Sequence, residues 1–70
     1  MNMGNPLAEI LRELSKLPKD LARNIIKACD KFIEDYIRRY SPDCKEIYWQ
    51  YATCIALMFE AARDMMYKED

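Results

Sequence analysis

Apolar residues recur at helical spacing in three stretches, and prolines separate the stretches. Leu7, Ile10, Leu11, Leu14 and Leu17 follow Asn5-Pro6 at the intervals expected for one buried helix face. Asn5 suits an N-cap and Pro6 the first helical position, so a helix is predicted over residues 6–16. Pro18 ends or kinks it, because proline lacks a donor and restricts the residue before it. A second helix is predicted over 18–40. Ala22, Ile26, Cys29, Ile33, Tyr36 and Tyr40 form its apolar stripe, widened by Leu21, Ile25, Ala28 and Phe32. The opposite face holds Lys19, Asp20, Arg23, Asn24, Lys27, Asp30, Lys31, Glu34, Asp35 and Arg38, which makes the helix amphipathic. Ser41-Pro42-Asp43 then reads as a third helix start: Ser at the N-cap, Pro at the first position, an acid in the first turn. That helix is predicted over 42–67. So short a link between the second and third helices favours antiparallel neighbours.

The third stretch is unlike the others. "IYWQYATCIALMF", residues 47–59, carries no formal charge, although 33% of the chain is charged. On a helical wheel Glu46, Gln50, Thr53, Glu60 and Asp64 occupy one narrow stripe. Apolar residues cover roughly 220° of the rest, whereas a helix packed on one neighbour needs an arc of about 100° or somewhat more. The second helix and a three-turn first helix cover only part of that arc. The surplus predicts an interface, since large exposed apolar patches usually mark one. The fold class expected is all-α: one domain, residues 1–70, with a short N-terminal helix and a long antiparallel helical hairpin, assembling as a homo-oligomer. Tyr51, Ile55, Met58, Phe59 and Ala62 are the expected interface residues. The alternative is a monomeric three-helix bundle in which the first helix folds back fully.

Size sharpens this expectation. Seventy residues bury a small core, so such chains usually gain stability from disulfides, metals or association. The cysteines, Cys29, Cys44 and Cys54, are odd in number and widely spaced, so no disulfide framework is implied. There is no histidine and no CxxC pair, which argues against a zinc site, and no cofactor or metal is expected. Free thiols suit a reducing compartment, so a cytoplasmic location is expected. The first ten residues show no secretory signal pattern, and the charge-free run is too short to span a bilayer.

Charge and chemistry point toward binding rather than catalysis. The net charge is −1, which gives no overall pull toward nucleic acid or membrane; nucleic acid is further disfavoured by the absence of a recognisable helix-turn-helix turn. Without histidine there is no ordinary Ser-His or Cys-His pair. Lys16, Lys19, Arg23 and Lys27, however, surround the start of the second helix with only Asp20 opposing them. Cations there oppose the helix macrodipole, while free backbone N–H groups make the same place suited to an anion. A solvated face is the plainer reading. In a symmetric oligomer such patches converge, and Tyr48, Trp49 or Tyr51 would stack on a base. Arg38, Arg39 and Lys45 at the next corner are mixed with acids and are expected to form ion pairs.

From Tyr40 onward the chain resembles the small helical-hairpin sponges with which phages counter CBASS and Thoeris defence by sequestering cyclic-nucleotide signals. The family's P-x-S-R-E corner is met here by "SPDCKE", with Pro42, Cys44 for the Ser, Lys45 for the Arg, and Glu46. "ALMFEAA" supplies Met58 and Ala61 at comparable spacing. The family's Arg-Thr pair has no counterpart in "QYATC", and Glu60 replaces an aromatic, so its ligand residues are not carried over. The resemblance implies a homo-oligomeric sponge that binds a cyclic or other nucleotide without turnover. The other expectation is a protein-interaction module or inhibitor that docks on a larger host protein through the apolar third helix.

Overall fold

The computed structural model describes residues 5–67, and all three predicted helices form. They are α1 (Pro6–Leu14), α2 (Lys19–Tyr40) and α3 (Cys44–Tyr67), and the described residues contain no strand, so the fold is all-α. No helix among these residues is long and apolar enough to cross a membrane.

The helix ends show why the boundaries fall where they do. The Asn5 side chain accepts from the backbone N–H groups of Leu7 and Ala8, with Pro6 directly behind it, as the sequence predicts. α1 stops two residues short of expectation. Lys16 and Leu17 donate to the carbonyls of Glu13 and Leu14 and wind the chain into a tight turn before Pro18. That turn is anchored, because Leu14 and Leu17 are both buried.

The α2–α3 corner corrects the sequence reading. Ser41 is not the N-cap of the third helix; it terminates α2 in the left-handed conformation (φ 47°, ψ 54°), with its N–H on the Ile37 carbonyl. Asp43 caps α3 instead: its carboxylate accepts from the Glu46 N–H at 2.8 Å and its carbonyl from the Ile47 N–H. The third helix therefore begins at Cys44, two residues later than predicted.

Leu14, Leu17, Ile25, Cys29, Ile55 and Ala62 form the core, with Leu7, Ile10, Ile26, Tyr51 and Phe59 packed around it. Along α2 and α3 the contacts run in opposite order. Tyr36 hydrogen-bonds to Glu46, Asp30 to Tyr51, and Cys29 faces Cys54. α1 lies along α3, where the Tyr48 hydroxyl donates to Asn5 Oδ1 and accepts from the Leu7 N–H at 3.1 Å. Beyond this zone the far half of α2 has only the first turns of α3 to pack on, so Phe32, Ile37 and Tyr40 stay exposed.

Two further expectations change. Cys29 and Cys54 are bonded to each other, with Cα atoms 5.9 Å apart, although the sequence implied no disulfide. Only Cys44 is free, so the argument from free thiols to a reducing compartment loses two of its three cysteines. Ile55 and Ala62, expected at an interface between copies, are core residues of the single chain, and Ile55 is 0% exposed. Their apolar surface is already covered by α1 and α2. Tyr51 and Phe59 are half-buried against the same core, which leaves Met58 as the exposed member of the expected set.

Candidate functional site

Lys19, Arg23 and Lys27 recur every four residues, so one side of α2 carries all three. They rim a groove of about 370 Å³ whose apolar lining is Leu17, Ala22 and Ile26. Among the described residues none of the three forms an ion pair. The start of α2 beside them is bare. Pro18 occupies the N-cap and has no side-chain acceptor, so the first-turn N–H groups gain no capping bond. Three unpaired cations and an uncapped helix start favour an anion here, with Asp20 in the first turn opposing them.

The other expected ligand residues are dispersed. Lys16 lies beyond the Pro18 break, pairs with Glu13 at 3.4 Å, and lines a different cavity with Phe59 and Arg63. Tyr48 holds the start of α1, and Trp49 packs edge-on against it with ring centroids 5.6 Å apart. Tyr51 donates to Asp30 Oδ1 at 2.8 Å, about one turn past Lys27. The lining of the basic groove includes none of these three aromatics. Both tyrosine hydroxyls are committed to holding helices together, so Trp49 is the one ring of the three left largely open to solvent. At the second basic corner, Arg39 pairs with Asp35 at 3.0 Å as expected, whereas Arg38 and Lys45 form no ion pair among the described residues.

Burial and Asp30 push the Tyr51 phenol up from 10.0 to about 12, burial first and the hydrogen bond next. The Tyr36 phenol is also raised, chiefly by its hydrogen bond to Glu46. A raised phenol favours the neutral form in the folded chain. The stability it contributes is complete below the unfolded value of 10 and is lost as pH rises toward 12. Thermal melts above pH 10 are therefore expected to fall more gently for Tyr51→Phe than for the parent. Equal slopes would show that Tyr51 does not carry this effect.

Sequence reasoning missed a second concavity. Between α1 and α3 a groove of about 300 Å³ has Ile10, Ala56 and Phe59 as its apolar surface and Glu9, Glu13 and Glu60 among its lining. The Arg63 guanidinium lies 5.5 Å from the Phe59 ring centroid in a cation–π contact. Glu9 and Glu13 share a face of α1, but that Glu60 joins them depends on how α1 lies along α3.

No family model, characterised protein or solved structure matches this chain. The resemblance of residues 40–70 to the phage sponges therefore stands on the quoted residues alone.

Proposed function

We propose that this chain is a non-enzymatic helical protein that pairs α2 and α3 as an antiparallel hairpin, assembles as a homo-oligomer, and sequesters a phosphorylated small ligand. A nucleotide signal of antiphage immunity is the specific candidate. The observation that carries the reading is the groove where Lys19, Arg23 and Lys27 stand unpaired beside the uncapped start of α2. A phosphate there gains charge-assisted hydrogen bonds and relieves repulsion among the cations. Leu17, Ala22 and Ile26 supply an apolar surface for the rest of the ligand. The likeness of the "SPDCKE" corner to the phage sponges supports the choice of ligand.

Calorimetric titration with cyclic dinucleotides tests this. The parent protein is expected to bind, and Lys19→Glu with Arg23→Glu to weaken binding at least tenfold. Unchanged affinity in the double variant would remove the site; no binding by the parent would remove the reading.

A second reading, docking on a larger protein, is favoured by Trp49 and Leu57, which α3 leaves 51% and 62% exposed. It predicts that neutralising the basic groove leaves partner binding intact. Tyr51 and Phe59 are poor probes of it, because both also support the core.

A further inference from the structure

The exposed side of α3 is the wrong kind of surface for water. Between Glu46 and Glu60 the exposed positions are Trp49, Thr53, Leu57 and Met58, and none is charged. Over the whole of α3 five of thirteen exposed positions carry charge, against ten of fifteen on α2. Trp49, Thr53, Leu57, Ala61 and Met65 follow one another at intervals of four, and all five are exposed. Such a row is a packing ridge of the kind that fits between the ridges of another helix. Its three large members all stand well out: Trp49 is 51% exposed, Leu57 62% and Met65 78%.

We infer that this ridge is the seam of a symmetric dimer, in which α3 packs antiparallel on α3 of a second copy with Leu57 at the two-fold axis. The inference rests on the homo-oligomer reading above and replaces the interface expected from sequence. The order of residues argues for a second copy as the occupant. Antiparallel pairing about Leu57 sets Thr53 against Ala61 of the second copy, two small residues flanking the central leucines. It sets Trp49 against Met65 of the second copy, a favourable sulfur–aromatic pair. It also sets Gln50 against Asp64 of the second copy, so no two like charges face each other. A parallel arrangement would place Glu60 on Glu60 and Asp64 on Asp64. The two-fold match is the self-complementarity that an isologous interface requires.

Sedimentation velocity over a wide concentration range, on the parent, Leu57→Glu and Ile37→Glu, tests this. Ile37 is exposed on α2, outside the ridge. The parent and Ile37→Glu are expected to dimerise. Leu57→Glu is expected to raise the dissociation constant at least tenfold while its thermal melt stays within a few degrees, since residue 57 is not in the core. In a Cys44→Ser background, mild oxidation is expected to cross-link Leu57→Cys to itself but not Trp49→Cys to itself. A parent that is monomeric throughout would overturn both the seam and the oligomer reading. Association that Leu57→Glu does not weaken would overturn the seam alone.

Discussion

Reducing the Cys29–Cys54 bond is expected to lower the melting temperature by about 15–20 °C, the largest effect available from a single covalent change. The two cysteines are separated by 25 positions. Constraining an unfolded chain over that span contributes about 3 kcal/mol in the loop-entropy account. A core of this size seldom supplies more than about 3–5 kcal/mol in total, so the bond accounts for much of the margin. Reduction is a cleaner probe than substitution. Cys29 is fully buried with its sulfur 3.8 Å from Met58 Sδ, and a serine there would strand a hydroxyl among apolar neighbours. Cys54→Ala provides the matching variant. Before reduction a thiol reagent should find one reactive cysteine, Cys44. Identical melts with and without reductant, or three titratable thiols at the outset, would remove the bond from the account.

Ile55→Ala is expected to destabilise the chain by about 2–4 kcal/mol, enough to leave much of it unfolded. Ile55 is 0% exposed at the centre of the core cluster, among residues from all three helices and the turn that joins the first two. Truncation there loses the transfer energy of the removed methylenes and leaves a cavity that three packed helices cannot easily close. Ile55→Val should cost about 1 kcal/mol, and Leu57→Ala, two residues away but exposed, about 0.5 kcal/mol or less. Urea midpoints for the three variants measure the ordering. If Leu57→Ala costs as much as Ile55→Ala, the buried side of α3 has been assigned to the wrong residues.

The helices were legible because each has its own punctuation. Asn5-Pro6 and Pro18 act locally, and the apolar spacing of α2 needs no partner to be read. The α2–α3 corner was harder because it offers two helix starts two residues apart, at Ser41 and at Asp43. Both are sound chemistry, and Pro42 fits either. What decides between them is that α2 must be terminated, and with glycine confined to Gly4 that role falls to Ser41 in a left-handed conformation. The cysteine pair was not legible at all. Both residues lie in helix interiors, and only the register of α2 against α3 brings them together.

The site divided the same way. Lys19, Arg23 and Lys27 share a row on one helix, so their grouping follows from spacing. Lys16 looks adjacent in sequence, but the turn before Pro18 carries it to the other side of α1's end. Of the five residues the wheel for α3 placed at an interface, Ile55 and Ala62 are buried in the core and Met58 is exposed. Ile55 and Ala62 lie toward the middle of the apolar arc and are the first to be buried. Leu57 lies among the polar positions, Thr53, Glu60 and Asp64, and is therefore left outside.

The covalent link also fixes how the chain can come apart. Residues 29 to 54 form a closed ring that includes the corner between α2 and α3. A protease that cuts at Ser41-Pro42 opens the ring but parts nothing, and the nicked product stays one molecule until it is reduced. α1 lies outside the ring. One cut in the turn between Leu14 and Lys19 leaves it held by non-covalent contacts alone: Leu7, Ile10 and Leu14 against the core, and the Tyr48 hydroxyl on Asn5 and Leu7. The same enzyme would therefore yield a latent nick at one corner and a shed helix at the other.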